Sequence, residues 1–193
     1  MTWPFGEGAR SRPLLLLLLL PWLGGCVPGS SLPPLAPYDG TTYRLGVGDR
    51  VHIITFGLET LTGTFRVNDA GAIEMPLLGS VPAATLTPRA LGAEIGADLA
   101  KRKLLNDPSV SVEVEEYRPI FVLGEVGRPG QYAYQPGMRV LTAVAIAGGY
   151  TYRAVQSHAQ DLRSTDGTPH TGKVTPDDYV APGDVITVLE RYY

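Results

Sequence analysis

The clearest pattern along the chain is the alternation Ser109-Val110-Ser111-Val112-Glu113-Val114-Glu115, with valines on one side and polar groups on the other. A period of two predicts a half-buried strand. Val51-His52-Ile53-Ile54-Thr55-Phe56, bounded by Gly48-Asp49 and Gly57, is a β-branched run and predicts another strand. Residues 63–67 and 72–75 flank Asn68-Asp69-Ala70-Gly71, the chemistry of a hairpin turn, and residues 77–86 add one or two short extended pieces. The period then changes. Thr87-Pro88 supplies an N-cap and a proline at the first helical position, Leu91, Ile95 and Leu99 share one helical face, and Lys101, Arg102 and Lys103 suit the C-terminal end. Gly92 and Gly96 weaken this helix intrinsically, so packing must hold it.

Beyond Asn106-Asp107-Pro108 the pattern begins again. Ile120-Phe121-Val122-Leu123 predicts a buried strand, and residues 124–137 are rich in turns around Gln131-Tyr132-Ala133-Tyr134. A short helix over about 139–147 buries Val140, Leu141 and Val144 and stops at Gly148-Gly149. A weak strand near 159–163, a polar turn at Asp166-Gly167 and a final strand Val185-Ile186-Thr187-Val188-Leu189 complete the series. Two stretches echo each other: Leu45-Gly46-Val47-Gly48-Asp49-Arg50-Val51 and Val180-Ala181-Pro182-Gly183-Asp184-Val185-Ile186. In both, Gly-Asp turns the chain into a β-branched strand, which is shared turn chemistry and not a solenoid repeat. The pattern as a whole predicts an α+β fold of two small mixed-sheet domains, residues 43–117 and 118–193, each with one covering helix.

Composition agrees with short elements: glycine (23) and proline (17) are abundant in 193 residues, while 44% hydrophobic and 18% charged residues suffice for a buried core. The formal charge is −3, and removing the +1 of Arg10, Arg12 and Glu7 leaves −4 for the chain after residue 25. With no block of Lys and Arg, the electrostatic footprint of nucleic-acid binding is missing.

The amino-terminal end has its own logic. Arg10 and Arg12 precede an apolar run from Leu14 to Leu20 that Pro21 interrupts, the layout of a secretory signal peptide over residues 1–25. The run is too short for a membrane span, which needs roughly 20 apolar residues. Cys26 is the one cysteine of the sequence and so has no internal disulfide partner. Leu23-Gly24-Gly25-Cys26 resembles the lipobox of bacterial lipoproteins, which implies that the Cys26 sulfur is diacylated and that Cys26 becomes the new amino terminus. Such an anchor is effectively permanent. Val27 after the cysteine, instead of Asp, implies delivery to the outer membrane. Residues 26–42, rich in Pro, Gly, Ser and Thr, read as a tether that would reach about 45–50 Å if extended.

Two stretches resemble the outer-membrane polysaccharide export family of Wza-type exporters. The first runs from Tyr43-Arg44-Leu45-Gly46-Val47-Gly48-Asp49 through the helix to Val110-Ser111-Val112 and is similar to the polysaccharide-export domain. The second runs from Val122-Leu123-Gly124-Glu125-Val126 through Pro129-Gly130-Gln131-Tyr132 to Ala145-Ile146-Ala147-Gly148-Gly149, and resembles the soluble-ligand-binding β-grasp (SLBB) module that follows it. The resemblance implies a ring-forming homo-oligomer, held to the periplasmic face of the outer membrane, that conducts a capsular or exopolysaccharide outward. It also implies an inner-membrane co-polymerase partner, often a tyrosine autokinase, and no cofactor. Larger members continue into further β-grasp modules and an amphipathic helix that builds an outer-membrane pore. This sequence stops at Tyr193, so a separate outer-membrane β-barrel is the expected partner.

No catalytic constellation stands out. His52, His158 and His170 are scattered without metal-ligand spacing. Glu113 and Glu115 point the same way on a strand, as paired glycosidase carboxylates could, but Ser109 and Ser111 share that face as on any solvated sheet. Tyr132 and Tyr134 could stack on sugar rings or pack across strands. Arg66, Arg128, Arg139 and Arg153 could line a conduit for an anionic polysaccharide, where conduction favours weak repeated contacts. Two further readings stay open. One is a periplasmic lipoprotein that binds a small glycan or other soluble ligand through the β-grasp module; the other is a polysaccharide-modifying hydrolase using Glu113 or Glu115.

Overall fold

A computed structural model of the chain describes residues 1–2, 28–165 and 167–191. The predicted signal segment, the lipobox and Cys26 lie outside the described residues.

The first unit is organised by β1 (Arg50–Thr55), whose alternation turns Val51 and Ile53 fully into the core. β1 is the middle strand of a three-stranded sheet, antiparallel to β2 (Gly63–Arg66) on one side and to β5 (Val110–Glu116) on the other. A short 3-10 turn at Glu59–Leu61 buries Leu61 between β1 and β2. The turn at Asn68 forms as its chemistry demands: Asn68 Oδ1 accepts from the amides of Ala70 and Ala72, both at 3.0 Å. The strands on either side nevertheless part company. Val67 exchanges backbone bonds with Asp49 and Gly48, which carries β2 along β1, while β3 (Ala72–Met75) pairs instead with β4 (Gly79–Pro82) as a separate antiparallel hairpin.

α1 (Pro88–Lys101) covers this unit. The Thr87 hydroxyl caps it by accepting from the Ala90 amide at 3.1 Å, and Leu91, Ile95 and Leu99 are fully buried. Gly92 and Gly96 sit on the same buried face. A β-carbon at Gly92 would stand 3.1 Å from the Val110 carbonyl oxygen, so this glycine is what lets the helix lie close on β5.

The second unit is a five-stranded sheet in the order β7-β6-β10-β8-β9, made of β6 (Ile120–Gly124), β7 (Gly130–Tyr132), β8 (Ala159–Thr165), β9 (Thr168–Val174) and β10 (Val185–Val188). β6 and β10 run parallel, and the other pairs are antiparallel. α2 (Val140–Ile146) packs on one face. Two expectations change in detail. β6 is half-buried, not buried, because Phe121 and Leu123 lie on the sheet face away from α2. Leu141 is exposed: the helical period puts Val140, Ala143, Val144 and Ala147 on the core side and carries Leu141 off it.

Residues 28–38 lie against this second unit. Pro34 bridges Lys173 in parallel, the Leu35 amide donates to the Lys173 carbonyl at 3.0 Å, and the Lys173 amide donates to Pro33 at 2.7 Å. This short strap lengthens the sheet beyond β9. The architecture is α+β, two sheet-and-helix units with separate hydrophobic cores.

Candidate functional site at the domain junction

The two echoing Gly-Asp turns fold alike and meet at the junction. In the first, buried Asp49 closes its own turn by accepting from the Gly46 amide at 2.8 Å, and its amide returns a bond to the Gly46 carbonyl at 3.2 Å. In the second, buried Asp184 accepts from the Ala181 amide at 2.7 Å and its amide donates to the Ala181 carbonyl at 3.1 Å. A carboxylate taken out of water needs charged or hydrogen-bonding partners, and each of these has an arginine.

Arg118, in the linker between β5 and β6, serves the first turn and touches the second. Its amide donates to Asp49 Oδ1 at 2.8 Å, its guanidinium lies 3.4 Å from Asp49 Oδ2, and its Nε donates to the Pro182 carbonyl at 2.9 Å. Both turns make room for it with glycine. A β-carbon on Gly46 would overlap the guanidinium, and one on Gly183, where φ is +88°, would sit 2.7 Å from Nε.

Arg163 serves the second turn, donating to both Asp184 oxygens and, at 3.1 Å, to Asp161. Its remaining donors reach the Tyr179 carbonyl and, in the strap, the Ala36 carbonyl, both at 3.1 Å. Asp161 is buried with Oδ1 lacking a donor. Burial, reinforced by the charge of Asp184, pushes its carboxyl up to about 8 in spite of Arg163.

Tyrosines fill the seam between the two arginines. Tyr43 donates to Asp49, its ring meets Tyr117 edge-on at 4.9 Å, and Tyr117 meets Tyr134 edge-on at 5.3 Å. Tyr38 of the strap lies under the Arg163 guanidinium. Burial raises the hydroxyl pKa of all four. Beside the seam opens a groove of about 260 Å³, lined among others by Glu115, Tyr117, Gln131 and Tyr132.

The residues singled out in the sequence fall differently. Arg128 and Tyr132 come together, with the Tyr132 hydroxyl donating to the Arg128 carbonyl at 2.5 Å at the edge of the groove. Tyr134 is buried in the seam, which leaves it little surface to offer a sugar ring. Arg66 is exposed at the end of β2, Arg139 stacks over Tyr179 at 4.3 Å, and Arg153 pairs with Glu190. Glu113 stands opposite His52 on the exposed face of the first sheet. Arg118 and Arg163 went unnoticed in the sequence. A buried Asp at each Gly-Asp turn demands a counter-charge, but the partners sit far along the chain and no spacing announces them.

Comparison with known proteins agrees with the two-unit organisation. Residues 37–115 match the model of the polysaccharide biosynthesis/export protein family, and residues 119–169 match the SLBB domain. The chain is 36% identical over 118 residues to the exopolysaccharide production protein ExoF of Rhizobium meliloti, covering 55% of this chain and 28% of that protein. It is 30% identical over 111 residues to the EPS I polysaccharide export outer membrane protein EpsA of Ralstonia nicotianae (56% and 29% covered). Against EpsA of Ralstonia solanacearum it is 26% identical over 185 residues (78% and 48% covered). The chain thus spans between about a quarter and a half of the length of these relatives. The chain thus carries a polysaccharide biosynthesis/export domain followed by an SLBB domain, joined through Arg118.

Proposed function

We propose that this protein is a periplasmic component of a capsule or exopolysaccharide export complex, anchored to the outer membrane through lipid on Cys26. Copies assemble into a ring that conducts polysaccharide, an inner-membrane co-polymerase feeds it, and a separate outer-membrane β-barrel completes the path. The observation that carries this reading is the junction. Arg118 joins the turns of both domains, so the pair can act as one rigid wedge of a ring. Among the described residues no helix is long and apolar enough to cross a membrane. Arg128 and Tyr132, adjacent and accessible, are the favoured polymer contacts, with Arg66 and Arg139 offering further exposed positive charge.

The test is a clean deletion in the native host, with extracellular and periplasmic high-molecular-weight polysaccharide quantified. Extracellular polymer should disappear, return with the wild-type gene and return poorly with Cys26→Ala. Unchanged extracellular polymer in a strain with no second exporter would sink the export reading. It would promote a monomeric lipoprotein that binds a small glycan at the groove beside Tyr132.

A further inference from the structure

We infer that the end of the second domain carrying Tyr152, Arg153 and Arg191 rests on the phospholipid surface of the outer membrane; this placement depends on the proposed lipid anchor at Cys26. The strap fixes where the anchor emerges. His158 Nε2 meets the Pro28 carbonyl at 2.9 Å, and Gly29 packs so tightly on Leu189 and His158 that a β-carbon there would overlap the leucine. The chain is then pinned again at Pro33, Leu35 and Ala36 by Lys173 and Arg163. Cys26 is two residues before Pro28, a covalent reach of about 7 Å. The long reach allowed by an extended tether is not available while the strap is seated.

The same end has the surface chemistry of a bilayer interface. Residues 153–155 are zipped to 189–191 by Val155 N to Leu189 O and Arg191 N to Arg153 O, both 2.8 Å, with the Arg191 guanidinium on the Tyr152 carbonyl. Leu189, which holds Gly29, therefore adjoins this cluster directly. Tyr152 is 81% exposed, the most exposed large hydrophobic residue from residue 28 onward among those described. Amphipathic aromatic rings settle at the headgroup level, and nearby guanidinium groups are drawn to anionic headgroups. Arg153, considered from sequence as a polymer contact, belongs to this cluster and is paired with Glu190.

A tryptophan reporter tests the placement. Both tryptophans of the sequence, Trp3 and Trp22, precede Cys26, so Tyr152→Trp would give the mature acylated protein a single indole. Reconstituted in phosphatidylethanolamine/phosphatidylglycerol vesicles, this reporter should shift to the blue and lose at least half its emission to brominated phospholipid. A Phe56→Trp reporter, at a 65% exposed position of the first domain, should stay unquenched. Adding Gly172→Val to the Tyr152→Trp protein should keep flotation with vesicles but abolish most of the quenching, because a β-carbon at Gly172 would stand 2.8–2.9 Å from Leu35 and unseat the strap. Equal quenching at the two reporter positions, in protein shown by mass spectrometry to be acylated and by flotation to be vesicle-bound, would overturn the placement and leave the anchor standing. Undiminished quenching in the Gly172→Val protein would overturn the strap's part in it. A mature chain without acyl groups on Cys26 would bring down anchor and placement together.

Discussion

At the scale of single residues, the most consequential group is Asp161. Its carboxyl is raised from an ordinary 3.8 to about 8 by burial and by Asp184. Between those values the folded protein keeps a proton that the unfolded chain has released. This group's stabilisation is therefore full below the lower value and drains away as pH rises toward the upper one. Asp161→Asn, which preserves shape and carries no carboxyl to titrate, should remove that drain. In urea unfolding followed between pH 5 and 8.5, the wild type should lose more stability than the variant, and parallel losses would contradict the assignment. The Asp161–Arg163–Asp184 cluster also holds the strap through Ala36, so its protonation bears on more than one element.

Among elements, the two helix glycines of α1 separate propensity from packing. Gly96 has ordinary space beyond it, with its nearest neighbour Pro108 at 3.8 Å, whereas Gly92 faces the Val110 carbonyl at 3.1 Å. Gly96→Ala should stabilise the protein by up to about 1 kcal/mol through helix propensity alone. Gly92→Val should cost about 1–3 kcal/mol by prising the helix off β5. Denaturant midpoints measured side by side check the contrast. These elements also mark what the sequence could reveal. β1, β5 and α1 were plain because one side of each packs on the core and their periods are undiluted. β9 was invisible: Thr-Pro-His-Thr-Gly-Lys-Val carries no apolar alternation, and its strand character comes from pairing with β8. The partner of β2 was misjudged because turn chemistry at Asn68 reports that the chain reverses, not which strand receives it. At the site, Tyr132 and Arg128 could be picked out as surface candidates, while Arg118, which holds the junction, depends on contacts across more than sixty residues of sequence.

For the molecule as a whole, Arg118 is the point at which two domains become one body. Arg118→Ala leaves Asp49 its backbone donors and Tyr43 but empties the space between Gly46 and Gly183. The expected loss is about 1–3 kcal/mol, moderated because the arginine is partly exposed. The wild type should unfold in one calorimetric transition and the variant in two. A single transition would show that the tyrosine seam couples them unaided. The parallel pairing of β10 with β6 bears on how the protein comes into being. On the proposed route of secretion, a chain delivered amino-terminus first would present β6 and β8 well before the strand that must slip between them exists on the far side of the membrane. During that interval both carry bare edges, the state in which strands recruit strangers. The first domain can close while secretion is still under way. The second must wait for residue 188, so on that route speed of release, and chaperones that mask open edges, would be part of what this fold requires.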